Sequence, residues 1–134
     1  MCGIIGYTGT EYAKDIIIEG LSTLEYRGYD SAGVALGGDT ISIVKKSGRV
    51  SQLNDLIPTS FSKIGIGHTR WATHGAPTSR NAHPHLSFDG TIAIVHNGII
   101  ENCDVLKKEI TSRGITFQSD TDSEIIAHLL ALED

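Results

Sequence analysis

Residues 2–28, CGIIGYTGTEYAKDIIIEGLSTLEYRG, change their hydrophobic period once, so the chain opens on a strand followed by a helix. Residues 2–7 are a short apolar run suited to a buried strand. From Ala13 onward the apolar or small positions fall at 13, 16, 17, 20, 21 and 24, the recurrence of one helix face. Gly28 is a natural stop for that helix. Working outward, residues 32–36 and 40–46 read as a hairpin around Gly37-Gly38-Asp39, residues suited to positive φ, and 50–57 as a short helix ended by Pro58. Residues 64–69 and 91–96 read as strands. The stretch between them, 70–90, has no period and carries Pro77 and Pro84, and loops of that length usually serve a function. A helix capped by Asn102 or Asp104 runs to Arg113 and stops at Gly114, and a short strand is expected over 116–118. Thr121-Asp122-Ser123-Glu124 is a capping-box pattern ahead of IIAHLLAL, whose Ile125, Ile126, Leu129 and Leu130 call for a packing partner on the C-terminal side.

The chain has 134 residues, 40% of them apolar, and a formal net charge of −5 from 11 Lys+Arg against 16 Asp+Glu. Those values describe one ordinary soluble domain, large enough to fold without a disulfide or metal staple. Cys2 and Cys103 are too few for a disulfide framework. The acidic balance, with no basic run longer than Lys45-Lys46 or Lys107-Lys108, argues against nucleic acid or a membrane surface as partner. The N-terminus has neither a basic n-region nor a long apolar core, which points to the cytoplasm. There is no internal repeat and no composition shift that would mark a domain boundary.

Cys2 directly follows Met1, and removal of the methionine would leave a thiol and a free α-amine on one residue. An α-amine ordinarily titrates at about 7.7–8.0 and a thiol at about 8.5, so near neutrality the amine can take the thiol proton without a dedicated histidine. The same cysteine also suits a small buried position in a strand. Asn97-Gly98 offers a side-chain amide and an unhindered backbone N–H, the donors an oxyanion hole needs. It is equally a tight-turn signal, although residues 99–102 lead towards a helix and are no obvious partner strand. In HTRWATHG, residues 68–75, Arg70 can fork onto a carboxylate, and Trp71 can cover a site or fill a core, while Thr73 and His74 sit at the mouth of the long loop. Asp122 suits either an ammonium ligand or the first turn of a helix. His68, His74, His83 and His85 invite a metal reading, yet their spacing fits neither structural zinc nor H-E-x-x-H, and no Asp, Glu or Cys lies among them. No G-x-S-x-G elbow or glycine-rich phosphate loop is present, and Cys103 reads as structural.

Six ordered blocks, CGIIGY at 2–7, LEYRGYDSAG at 24–33, HTRWATHG at 68–75, NAHPH at 81–85, HNGIIEN at 96–102 and SDTDSE at 119–124, closely resemble one family. It is the glutaminase domain, a class II glutamine amidotransferase, of the glutamine–fructose-6-phosphate aminotransferases. The resemblance implies an α+β fold, the N-terminal-nucleophile hydrolase αββα sandwich with antiparallel sheets between helical layers. It implies Cys2 as nucleophile with its α-amine as base, and Asn97 and Gly98 as the oxyanion hole. It further implies Arg70 and Asp122 on the carboxylate and ammonium of L-glutamine, Thr73 and His74 as further glutamine contacts, and Trp71 as a gate for ammonia. The implied reaction releases glutamate and ammonia through a γ-glutamyl thioester, with no cofactor and no metal. Ammonia would then serve amino-sugar synthesis from fructose 6-phosphate, through sugar-isomerase domains that 1–134 does not include and through which full-length relatives form homodimers. The family's glutaminase domain continues for roughly another hundred residues. The chain is therefore expected to be the N-terminal part of such a domain, truncated on its C-terminal side, of low stability and prone to edge association.

Two other readings stay open at this level. One is a glutamine-binding fragment without turnover. The other is a metal-dependent hydrolase built on the 68–85 histidines.

Overall fold

The change of period between Tyr7 and Ala13 becomes a strand with a helix packed on it. The computed structural model describes residues 2–72 and 76–133. In chain order the elements are β1 (Gly3–Thr8), α1 (Ala13–Leu24) with a 3-10 turn at Glu25–Arg27, β2 (Ser31–Leu36), β3 (Ser42–Ser47), α2 (Val50–Leu56), β4 (Ile64–Arg70), β5 (His85–Leu86), β6 (Ala93–Ile94), α3 (Cys103–Ser112) and α4 (Glu124–Leu132). A four-stranded antiparallel sheet has the order β1-β4-β2-β3, and β5 and β6 form a second, two-stranded sheet.

Alternation along the strands divides the larger sheet into two faces. Gly3, Ile5 and Tyr7 of β1 stand opposite Thr69, Gly67 and Gly65 of β4, which in turn stand opposite Ala32, Val34 and Leu36 of β2. This face meets α1 and α2 in a core of Ile17, Leu21, Val34, Leu36, Val50 and Leu53, each at most 5% exposed. Burying a side chain of that size is worth about 1.5–3 kcal/mol. All six residues of β2 are buried, so its other face is covered as well. What covers it is the β5 layer. A Cβ on Gly33 would lie 1.9 Å from the carbonyl oxygen of His83, so glycine is required for the two layers to approach this closely. Helix α4 packs on β5 and β6, and α3 lies behind α4. The layers therefore run helices, sheet, sheet, helices.

The ends of the helices show how distant segments are tied together. The Ala13 N–H, which α1 leaves unpaired, donates to Ser62 O at 2.7 Å, and the Val50 N–H of α2 donates to the Glu25 carboxylate at 2.7 Å.

Several expectations are corrected in detail. Leu36 pairs with Ser42, so the connection between β2 and β3 spans residues 37–41, and neither Gly37 nor Gly38 takes positive φ. The 91–96 strand pairs only over Ala93–Ile94, with a strand inside the supposed loop. No strand forms over 116–118; Phe117 instead joins the core of Ile110, Ile115 and Ile125. Ile125 is thus packed by α3 within the chain, while Leu130 remains 49% exposed. Asn102 is the N-cap residue of α3, but its side chain makes no capping bond.

Candidate functional site

Strand pairing brings the two ends of the motif list together. β1 and β4 run antiparallel with Gly3 opposite Thr69, so Cys2, just before β1, falls beside Arg70 and Trp71 at the end of β4. The Trp71 backbone N–H points at the Cys2 sulfur with N···Sγ 3.1 Å, and Sγ lies 3.6 Å from the Trp71 carbonyl oxygen. The segment after β4 is held by Asp30, the residue just before β2. Asp30 N–H donates to Arg70 O at 2.7 Å, and the Asp30 carboxylate accepts from the Ala72 N–H.

A cavity of about 540 Å³ opens here, lined by Cys2, Arg70, Trp71, Asn97, Gly98 and Asp122 among others. Six of the eight residues singled out from sequence thus share one hollow; Thr73 and His74 lie outside the described residues. Arg70 is 4% exposed and donates from Nη1 to Ala76 O at 2.9 Å, and Trp71 is half-exposed with its ring over Gly28. Asn97-Gly98 is not a hairpin turn: β6 ends at Ile94 and the chain leads on to α3. Asn97 Nδ2 donates to the Cys2 carbonyl at 3.3 Å. Gly98 has φ +154°, and a Cβ there would meet His96 Nε2 at 2.9 Å, so both backbone and space favour glycine. Asp122, 5% exposed, lies just before α4 and accepts the Ile100 N–H at 2.7 Å, which ties the 97–100 turn to the start of α4.

Behind the cavity is a buried layer of imidazoles. His68 and His83 stack with centroids 4.2 Å apart, and His85 lies 4.5 Å from His83. Burial pulls the pKa of His68 down to about 4, against a raising bond from Asn97, and that of His85 down to about 3, with Lys45 adding to the effect; His83 is lowered further still by burial and by its two neighbours. All three are neutral at physiological pH. Each ring makes a hydrogen bond: His68 Nε2 with Asn97 Oδ1, His83 Nδ1 with the His96 N–H, and His85 Nε2 with Thr121 Oγ1. Three of the four histidines weighed as metal ligands, His68, His83 and His85, therefore tie segments of the site together, His74 lying outside the described residues, and no cluster of three or more His, Cys, Asp or Glu suited to a metal occurs among the described residues.

The supposed capping box is rearranged into something more extensive. Glu124, 1% exposed, does not reach the Thr121 N–H. It accepts from the N–H groups of Gln118 and Ser119 (2.9 and 2.6 Å), from Ser119 Oγ (2.6 Å) and from His128 Nε2 (2.8 Å). Ser119 Oγ gives its proton to Glu124, so it accepts from Thr121 Oγ1 at 3.1 Å, and Thr121 in turn accepts from His85. A chain of donors thus runs from the imidazole layer to one carboxylate. Burial pushes the Glu124 carboxyl up, but the bonds from His128, Ser119 and Gln118 outweigh it and hold it at about 2.

Sequence reading missed Asp30, Asn81 and Glu124. Asn81 is fully buried, donating to Ala76 O at 2.9 Å and accepting the Asp120 N–H at 2.8 Å, so it joins the Arg70 side of the cavity to the Asp122 side. The only hint was that all three lie inside the blocks LEYRGYDSAG, NAHPH and SDTDSE.

A sulfur at the start of an outer strand, on the open side of a layered sandwich, defines the class of N-terminal-nucleophile hydrolase folds. Solved structures bear this out. The allosteric regulatory enzyme of purine biosynthesis superposes with TM-score 0.81 at 31% identity, over 98% of this chain and 29% of that one. Glutamine phosphoribosylpyrophosphate amidotransferase from B. subtilis, complexed with ADP and GMP, superposes with TM-score 0.76 at 28% identity, over 98% and 29%. The glutamine amidotransferase domain family matches residues 55–133, and the chain belongs to that family. It is also 54% identical to the glutamine–fructose-6-phosphate aminotransferase [isomerizing] of Tropheryma whipplei (strain Twist), over 98% of this chain and 22% of the relative. The chain thus spans about a fifth of the length of the curated relatives it matches. Among the described residues no helix is long and apolar enough to cross a membrane.

Proposed function

We propose that this domain hydrolyses the side-chain amide of L-glutamine to glutamate and ammonia through a thioester on Cys2. The observation that carries the reading is the convergence of Cys2, Asn97, Gly98, Arg70 and Asp122 on one cavity from four separate parts of the chain. Each supplies what glutamine requires. Arg70 pairs with the α-carboxylate and Asp122 with the α-ammonium, two opposite charges that fix the amino-acid end. The side-chain amide then meets the Cys2 sulfur. Thr73 and His74 add glutamine contacts, and Trp71 gates the outlet for ammonia.

Removal of Met1 frees the Cys2 amine, which takes the thiol proton as sulfur bonds to the amide carbon. The carbonyl oxygen becomes an oxyanion that accepts from Asn97 Nδ2 and the Gly98 N–H, which stabilise it as charge develops. The C–N bond breaks, the Cys2 ammonium returns its proton to the departing nitrogen as ammonia, and a γ-glutamyl thioester remains. Water adds to the thioester carbon while the amine accepts one of its protons. The C–S bond then breaks, the thiol is regenerated, and glutamate leaves.

Residues 1–134 act as the N-terminal part of a glutamine amidotransferase domain in an enzyme like the Tropheryma relative. Fructose 6-phosphate is met only through sugar-isomerase domains outside this segment, in a cytoplasmic homodimer. The similarity over 98% of this chain and 22% of that relative supports this placement. The test is glutamate and ammonia release from glutamine. Equal amounts of the two products, abolished by Cys2→Ala, are expected; turnover that survives Cys2→Ala refutes the assignment.

A further inference from the structure

We infer that His68 is a positioning residue whose Nε2–H fixes the Asn97 amide with its NH₂ towards the cavity. This rests on the reading of Asn97 as an oxyanion donor given above.

The donors and acceptors around the Asn97 amide fix its orientation. Nδ2 of Asn97 faces a carbonyl, that of Cys2, at 3.3 Å, and a carbonyl only accepts. Asn97 Oδ1 must then be the atom 2.8 Å from His68 Nε2, so His68 carries its proton on Nε2. One hydrogen of the Asn97 NH₂ is used by Cys2 O, and the other is left for an oxyanion. A flipped amide would set NH₂ against an imidazole N–H and Oδ1 against a carbonyl, two repulsions at once. Asn97 is itself exposed, and its orientation is selected by these two contacts, the Cys2 carbonyl on one side and His68 on the other.

His68 can do this because it is immobile. It is fully buried in β4 opposite Gly33 and Ile4, with its ring stacked on His83. Its Nδ1 is buried without a hydrogen-bond partner among the described residues. A proton there would have nothing to bind, so the arrangement admits the Nε2–H tautomer alone. A purely structural histidine would have no reason to leave one ring nitrogen unsatisfied while spending the other on an exposed side chain at the cavity's rim.

The test uses the full chain with two variants. His68→Leu fills the space without a donor, and His68→Gln places an N–H near the position of Nε2. Expected for His68→Leu is a fall in kcat of about 10- to 100-fold, with KM for glutamine within about threefold, because the missing interaction is made only as charge develops on the oxygen. His68→Gln should recover most of the loss. In parallel, two-bond ¹H–¹⁵N correlation spectra at pH 7 should show His68 as the Nε2–H tautomer. The Nδ1–H tautomer, or a His68→Leu protein with wild-type kcat, overturns the inference. Equal losses in the Leu and Gln variants also overturn it. If the wild type itself releases no glutamate, the proposed function falls, and the tautomer still decides whether His68 orients Asn97.

Discussion

Glu124→Gln changes one oxygen to an NH₂ group and leaves the shape of α4 unaltered, yet it should be among the most damaging isosteric changes in the chain. Four donors converge on the carboxylate: the N–H groups of Gln118 and Ser119, the Ser119 hydroxyl and His128 Nε2. An amide placed either way turns an NH₂ towards some of them. His128 cannot adapt by moving its proton, because its Nδ1 already accepts the Phe88 N–H at 3.1 Å. The magnitude follows from the carboxyl's own titration, which falls from 4.5 to about 2 on folding. At about 1.4 kcal/mol per unit this is about 3 kcal/mol. A pKa depressed in the folded state gives stability that is fully present above 4.5 and lost as pH falls towards about 2. The assay is urea unfolding of wild type and variant at pH 7 and pH 3. With a slope of about 2 kcal/mol per molar, the midpoint should drop by about 1.5 M at pH 7 and by half that or less at pH 3. A shift below about 0.3 M at pH 7, or one that does not shrink on acidification, would refute the reasoning.

Asn97→Ala should lower kcat for glutamine by about 10²–10³ with little change in KM, since it removes a donor that acts on the oxyanion; a change confined to KM would contradict that role. Arg70→Lys should raise KM by at least about tenfold, because a point charge cannot reproduce the fork on a carboxylate, and an unchanged KM would remove Arg70 from the binding set. Gly33→Ala puts a Cβ 1.9 Å from His83 O and should cost about 1–3 kcal/mol in urea unfolding; a variant as stable as wild type would show that the two layers part freely. Stability should also decline as pH falls below 6.5, before any carboxylate titrates, because the buried imidazoles stay neutral while unfolded histidines take protons. Replacing His85 by Gln should flatten that decline in a pH series of unfolding midpoints, and an unaltered slope would assign it elsewhere.

The elements with a strong period are legible in the sequence alone. Helix α1 begins at Ala13 and ends at Leu24 as its apolar stripe requires, and β4 occupies the run beginning at Ile64. What could not be read were elements defined by partners distant in sequence. Strand β5 has two residues, too short for a period, and β6 keeps only two of the six residues read as strand over 91–96; the approach of the β5 layer to β2 depends on Gly33, which leaves room for the His83 carbonyl. The 121–124 pattern looked like a local cap, but Glu124 lies nearer to donors at 118 and 119, and tertiary packing overrode the local motif. In the site, residue types that imply a chemistry, such as Cys2 or Asn97-Gly98, announced themselves. Asp30, Asn81 and His68 act on other residues, and nothing in their immediate neighbours reveals that.

The central claim is that Cys2, freed of Met1, is the nucleophile for glutamine. The most direct test is mass spectrometry of the chain after reaction with a diazoketone analogue of glutamine, followed by peptide mapping. The account predicts one adduct per chain, on an N-terminal peptide that begins at Cys2, with glutamine slowing its formation. Label on Cys103, or a folded chain lacking Met1 whose Cys2 stays unmodified, would contradict it.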